Sequence, residues 1–434
     1  MSQNVERRPP KKVLVFPCGS EIGLEIHRAL RFTPHVTLLG ASSVTSNHGK
    51  YVYRDYVEGI PFVDAPDFIP AIAALVKEQS VDFIYPAHDS VVLKLAQHSD
   101  EMACTMIGSP LETCTVCRSK KATYARLEGV VPIPRRYTGP EENIEYPVFL
   151  KPDVSQGSKG IALAQDRKAL EAELEKNPDL LILEYLPGDE YTVDCFTDRH
   201  GVLHFVGARQ RDRVTNGISV ESHPVGGEEF DSIAKKINET LVFRGAWFFQ
   251  VRRASDGTLG LLEIAPRVSG GMGLYRNLDV NFPLLSIYDR IDLDLDIHCQ
   301  HYGIRMDRAL ASRFLLDIDY DTVYIDLDDT LLMNGKTNPM AVAFVHQCRN
   351  QGKKIHLLSR HEGDIDETLA RHGLSGLFDS VVPFDRLSCK SERINAAKAI
   401  FVDDSYAERR KVHTALEIPT FSVDALESLL DWRA

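Results

Sequence analysis

The chain lacks any apolar run near the ~20 residues that a helix needs to cross a bilayer, so no membrane-spanning segment is expected. It lacks an apolar segment with a cleavage site after the basic N-terminal stretch MSQNVERRPPKK. No secretory leader is therefore expected, and a cytoplasmic location is. Basic residues are not in excess: 50 Lys and Arg stand against 62 Asp and Glu, a net charge of −12. That balance argues against nucleic acid or an anionic membrane as a general partner, while leaving room for a local basic pocket. A zinc pattern is missing. Cys114 and Cys117 form a lone CxxC with no second pair at zinc spacing, and the eight cysteines are scattered as reduced thiols would be. The turn Gly19-Ser20-Glu21-Ile22-Gly23 lacks the three-glycine dinucleotide fingerprint and reads as a packing turn. There is no internal repeat and no low-complexity segment.

What is present is an ordinary globular composition, 44% hydrophobic over 434 residues, enough for roughly two to four domains. Residues 1–11 are expected to be a disordered tail. Residues 12–110 alternate strand and helix patterns: a buried-strand run at 13–16, a helical period over 21–31, strands at 36–39 and 82–86, and a helix over 68–79. This predicts a parallel sheet covered by helices. Residues 111–305 begin with a helix over 111–128 and continue as short strands at 148–150, 160–164, 180–183, 191–196, 202–207, 246–251 and 259–264. Those lengths predict antiparallel sheets with a few helices. An acidic connection within 306–320 precedes a fresh strand/helix alternation over 321–434. The fold class is thus α/β and α+β, in several domains.

One constellation centres on VFLKPDVSQGSKGI (148–161), a strand followed by a glycine turn. A small-residue loop can lay backbone N–H groups and a lysine against a polyphosphate, although such a turn alone is commoner in hairpins. Other polar residues fall at strand ends in the order that one ATP site needs. Lys120 and Lys151 suit the phosphates, Glu184 beside Leu186 an adenine edge, and Glu190 ribose hydroxyls. Gln250 and Glu263 offer oxygen ligands to magnesium. Arg267, before Val268-Ser269-Gly270-Gly271, offers a clamp for an anionic group. Residues 12–305 resemble the ATP-grasp superfamily, especially carboxylate–amine ligases and the large subunit of carbamoyl phosphate synthetase. The matching stretches are SKKATYARL (119–127), FLKPDVSQGSKGI (149–161), LEYLPGDEYTVDCF (183–196), FFQV (248–251) and LEIAPRVSGGM (262–272), with YPAHDSVV (85–92) in a Rossmann-like pre-ATP-grasp domain. The resemblance implies that Lys120, Lys151, Glu184, Leu186 and Glu190 hold ATP. It makes Ser155, Gly157, Ser158 and Gly160 part of a mobile phosphate lid, and Gln250 and Glu263 magnesium ligands. Arg267 would face the transferred phosphoryl group and the carboxylate, with Arg211 and Arg213 as looser candidates for that pocket. The family usually has Glu-x-Asn before Pro-Arg; here the last is Ala265, which cannot ligate a metal.

The other constellation starts at TVYIDLDDTLL (322–332), a buried strand ending in Asp326 and Asp328. Ser359 ends a second strand, Lys390 follows a polar turn, and Asp403 and Asp404 end a third strand. Strand ends of a parallel sheet form a ligand crevice. These residues resemble the four motifs of the haloacid dehalogenase (HAD) superfamily over 321–434, with DxDxT matched in full at 326–330. The resemblance implies a Rossmann-like domain with little or no cap. It implies Asp326 as nucleophile, Asp328 as general acid and base, and Ser359 and Lys390 on phosphoryl oxygens, with Lys398 a weaker rival of Lys390. Magnesium, or manganese, would sit among Asp326, Asp328, Asp403 and Asp404.

The function expected from both halves is bifunctional. An ATP- and magnesium-dependent ligase would join an amino-acid-like carboxylate to an amine through an acyl phosphate, fused to a phosphatase with its own phosphorylated substrate. A homo-oligomer is open. The alternatives are an ATP-grasp kinase or carbamoylating module without ligation, and a nucleotide-sensing protein with only the second half active.

Overall fold

The strand Lys11–Phe16 forms the centre of a five-stranded parallel sheet in a computed structural model that describes residues 9–140, 142–155, 159–384 and 388–433. The expected tail falls largely outside the described residues, and the strand already begins at Lys11, whose Nζ donates to Asp82 Oδ1 at 2.8 Å. Val13, Leu14, Val15 and Phe16 are all buried because both faces of the sheet are covered. Val13 and Val15 pack with Ile26 and Leu30 of the helix Glu21–Leu30, while Leu14 and Phe16 pack with the helix Phe68–Glu78. Ser20 caps the first of these helices, its Oγ accepting from Gly23 N at 3.0 Å, so the turn at 19–23 is a packing and capping turn.

The chain divides into two compact units, one reaching Leu310 and the other spanning Ala311–Arg433. In the first unit the parallel sheet and the antiparallel body share one core, in which Val15 and Ile26 meet Phe248 and Met272. Residues 12–110 are therefore not walled off from the antiparallel body. That body has two sheets. Four strands run in the order Arg136–Tyr137, Leu181–Glu184, Val148–Lys151, Ala162–Ala164. Six run in the order Leu259–Ala265, Gly245–Arg253, Glu190–Thr197, Leu203–Thr215, Ile218–Val225, Met306–Asp307.

Three expectations are corrected. The helix expected over 111–128 is two, Leu111–Arg118 and Lys120–Leu127. Ser119 leaves helical geometry (φ −107°, ψ 123°) because its Oγ accepts from Ala122 N and bonds the Asp153 carboxylate at 2.9 Å. The strand expected at 202–207 runs on to Thr215 and turns back through Asn216-Gly217, both at positive φ, into Ile218–Val225. Asn-Gly is the usual two-residue hairpin turn, so the signal was present. Finally, Met306–Asp307, within the expected linker, pairs with the strand Ile218–Val225.

The second unit is a five-stranded parallel sheet in the order Ser380–Pro383, Lys354–Ser359, Thr322–Ile325, Ala399–Val402, Thr420–Phe421. Between Asp328 and the helix Pro339–Asn350 lies only the small hairpin Leu332–Met333 with Lys336–Thr337.

At the centre of the six-stranded sheet Asp194 is fully buried. Its oxygens accept from Arg209 Nε at 2.7 Å and Ser269 Oγ at 3.0 Å. Removing one partner of a buried pair strands the other charge. Asp194→Ala is expected to lower stability by about 3 kcal/mol in urea unfolding of the full chain; a loss under about 1 kcal/mol would contradict this role.

Candidate functional site

The strand Val148–Lys151 brings Lys151 to a cavity opposite the six-stranded sheet. Lys120, Ser155, Glu184, Leu186, Glu190, Arg211, Gln250 and Glu263 also line it. Residues far apart in the chain thus meet in one place. The buried Lys151 Nζ donates to the Leu262 carbonyl at 3.0 Å and stands 5.3 Å from the centre of the Tyr124 ring. Burial pushes its pKa down to about 8, against the pull of Glu263. Lys120 Nζ donates to Ser155 Oγ at 3.0 Å and to the Asp153 carbonyl at 3.3 Å, and burial lowers it too. Neither lysine has an ion-pair partner among the described residues. Two cations held by neutral oxygens attract an anion of matching size.

At the opposite edge, Glu184 Oε2 accepts from Arg135 N at 3.1 Å, so one carboxylate oxygen is committed to the backbone just before the neighbouring strand Arg136–Tyr137. Glu190 pairs with Arg211, which also donates to Gln250 Oε1 at 2.9 Å and the Gly217 carbonyl at 2.8 Å. Arg211 Nε is buried without a hydrogen-bond partner. Arg211 thus belongs to the cavity wall more firmly than its sequence position suggests. Arg213 does not: it is exposed and pairs with Glu221 and Asp307. Gln250 and Glu263 face each other across paired strands. With Gln250 partly engaged by Arg211, Glu263 is the freer oxygen donor, which suits a magnesium ion bound chiefly through phosphate oxygens. Gly157 and Ser158 lie outside the described residues. Gly160 sits at φ 73° beside Pro152.

A second chamber adjoins the first, sharing Lys120, Ser155 and Glu263. Arg267 and Asp89 line it as a bidentate pair at 2.5 and 2.8 Å. The Asp89 carboxyl is held below its usual range: burial opposes this, and the adjacent Arg267 charge outweighs it. Arg267 is therefore a guanidinium already committed to a carboxylate, on the chamber wall. Ser269 is turned into the buried Asp194–Arg209 network. Gly270 and Gly271 lie against Glu21 and Arg209 so closely that a Cβ would fall 1.8 and 2.5 Å from them. Ala265 lines the chamber and offers no oxygen ligand. Cys114 and Cys117 line it as neutral thiols, burial pushing Cys114 up to about 12 and Cys117 higher still.

In the second unit, the adjacent strands Lys354–Ser359, Thr322–Ile325 and Ala399–Val402 bring Ser359, Asp326 and Asp403 to one sheet edge. Lys390 Nζ is buried between Asp326 Oδ1 and Asp403 Oδ2, 2.6 Å from each. Asp326, Asp403 and Asp404 present oxygens within 4.8 Å of one another, a hard-oxygen set that fits magnesium or manganese. The Asp328 carboxylate is outside that set. It is half exposed and bonded by His361 Nδ1 at 2.9 Å, while His361 Nε2 meets Thr368 Oγ1 at 2.9 Å. His361 had no sequence signal beyond its place two residues after Ser359. Ser359 Oγ, buried, accepts from His361 N at 3.1 Å. Thr330 Oγ1 accepts from Asp404 N at 3.0 Å. Lys398 is exposed and pairs with Asp319 at 2.6 Å, so it takes no part in this cluster.

A four-stranded and a six-stranded antiparallel sheet facing across a cavity, preceded by a parallel α/β layer, give the first unit the ATP-grasp fold. Residues 176–308 match the family model described as ATP-grasp in the biosynthetic pathway with Ter operon. Among solved structures, the biotin carboxylase domain of the Hydrogenobacter thermophilus 2-oxoglutarate carboxylase, in complex with MgADP, ADP and bicarbonate, is 18% identical. The TM-score is 0.57, covering 68% of this chain and 72% of that one. N5-carboxyaminoimidazole synthetase from Staphylococcus aureus, complexed with ADP, is 14% identical with a TM-score of 0.56, covering 66% and 78%. L-amino acid ligase from Bacillus licheniformis is 16% identical with a TM-score of 0.53, covering 66% and 75%. No helix among the described residues is long and apolar enough to cross a membrane.

Burial raises the Asp326 carboxyl to about 7, with the Lys390 charge opposing and Asp403 assisting. Between an unfolded value of about 4 and that pKa, the folded state keeps a proton that the unfolded state releases. This group's contribution is therefore full below about pH 4 and lost as pH rises through about 7. A divalent cation held by the ionised cluster would offset that loss. In calorimetry, magnesium is expected to raise the unfolding temperature of the second unit at pH 8 and hardly at pH 5. An equal effect at both would count against the cluster as the cation site.

Proposed function

We propose that the first unit is a magnesium- and ATP-dependent ligase that joins a carboxylate to an amine, and that the second is a HAD-type phosphomonoesterase. The ligase reading is carried by the convergence of Lys120, Lys151, Glu184, Glu190 and Glu263 on one cavity. The bound ADP named for two of the similar structures supports it, as does the amino acid ligase among them. Lys151 and Lys120 bind the phosphates, and the apolar surface of Leu186 with the edge at Glu184 receives the base. Glu190, steadied by Arg211, faces the ribose. Magnesium held by Glu263, with Gln250, would neutralise phosphate oxygens. The carboxylate substrate lies in the adjoining chamber, where the positive charge of Arg118 and of Arg267, the latter already paired with Asp89, draws it toward the γ-phosphate. Its oxygen attacks the γ-phosphorus, ADP leaves, and an amine displaces phosphate from the acyl phosphate.

The phosphatase reading is carried by Lys390 bridging Asp326 and Asp403 beside Asp404. An Asp326 oxygen attacks the phosphorus, and Asp328 gives its proton to the departing alkoxide. Asp328 then takes a proton from the water that splits the aspartyl phosphate. Lys390 and Ser359 hold the phosphoryl oxygens. With only a small hairpin after the first motif, the site suits a substrate that brings its own cover.

ADP release from ATP, magnesium and pooled amino acids is expected only when both a carboxylate and an amine are present; no turnover with any pool would sink the ligase reading. Asp326→Asn should abolish hydrolysis of a generic phosphate ester and spare ADP release. Lys151→Met should weaken ADP binding about tenfold to a hundredfold. Because free Lys151 titrates near 8, nucleotide affinity should fall as pH rises through that value. Calorimetry in buffers of different ionisation enthalpy should then register proton uptake on binding.

A further inference from the structure

The strand Thr105–Met106 leads through Gly108-Ser109-Pro110 into the helix Leu111–Arg118. Beside this turn is a recess that shares no lining residue with the nucleotide cavity or its adjoining chamber. Its wall carries two guanidiniums, Arg244 and Arg290, the hydroxyls of Ser99, Thr105 and Ser109, and no carboxylate. One acid stands behind the pair. Asp289 is fully buried, with Oδ2 accepting from Arg244 Nε and Oδ1 from Arg199 N, each at 2.7 Å. Both of its oxygens are thus engaged, and neither meets Arg290. Arg290 donates to the Gly108 carbonyl and has no ion-pair partner among the described residues. Ser109 Oγ accepts from Arg244 N at 3.2 Å, which leaves its O–H as a donor. Burial, and then the neighbouring charge of Arg244, push Arg290 down to about 10. The recess therefore holds positive charge that the protein does not balance.

We propose that this recess binds a phosphate group, free or carried on a small metabolite, between Arg244 and Arg290. Two guanidiniums, with hydroxyls lining the same recess, offer more donors than a carboxylate has oxygens to receive at once. A tetrahedral phosphate presents three or four acceptors, and its charge answers Arg290 and the donors that Asp289 leaves open on Arg244. The site is distinct from both proposed catalytic centres. It abuts the start of the helix Leu111–Arg118, whose far end brings Cys117 and Arg118 to the chamber beside Lys120.

The test uses the full-length Asp326→Asn protein saturated with MgADP, so that the nucleotide cavity is filled and phosphate esters survive. Inorganic phosphate and methyl phosphate are titrated into it by calorimetry, and again with Arg290→Met or Arg290→Lys added. Both probes are expected to bind the parent. Arg290→Met should weaken them about tenfold, with Arg290→Lys between. Tighter methyl phosphate would identify a phosphorylated metabolite as occupant, and equal affinity free phosphate. Absence of binding in the parent up to about 10 mM of either probe would overturn the proposal, as would unchanged affinity in Arg290→Met. Should Arg290→Met fail to unfold cooperatively, the comparison of parent with Arg290→Lys decides, and equal affinities there overturn the proposal.

Discussion

Two buried lysines with no ion-pair partner among the described residues set the terms for the first unit. Lys151 and Lys120 lean on the Leu262 and Asp153 carbonyls and the Ser155 hydroxyl, and burial depresses both. Keeping such cations out of water is costly, and the surrounding framework has to hold them regardless. That framework is visible in the Ser119 break. Asp153 binds the Ser119 hydroxyl and Lys121 N, fastening the start of one helix to the loop after Lys151. A polyanion in the cavity would offset the cost that this framework bears.

The second unit has the opposite imbalance. Lys390 is shared by Asp326 and Asp403, and Asp404 adds a further carboxylate, itself raised by burial and by Asp403. One lysine against three acids leaves negative charge at the edge of a parallel sheet, where hard cations bind. The two units thus carry opposite imbalances, one with spare positive charge and the other with spare negative charge.

Much of this was legible in the chain. Continuous apolar runs such as VLVF and TVYI mark strands buried on both faces, and the acids just after such runs fall at strand ends. The Asn216-Gly217 hairpin was equally legible through its turn chemistry, although the periodicity of the preceding strand, broken by RQRDR, hides its length. Other features had no local signal. Asp89 and Arg267 are 178 positions apart, and their pairing results from two elements packing together. The contact between His361 and Asp328, and the engagement of Arg211 with Glu190 and Gln250, are of the same kind.

By itself the sequence determined which residues end strands and which carry charge, because period and polarity are local properties of the chain. The tertiary structure alone decided which charges are satisfied. Arg267 and Arg211 acquired partners, Lys151 and Lys120 received only neutral oxygens among the described residues, and Asp328 fell outside the cluster of Asp326, Asp403 and Asp404. Burial and long-range pairing fix the electrostatic state of a side chain, and neither is encoded in its immediate neighbours.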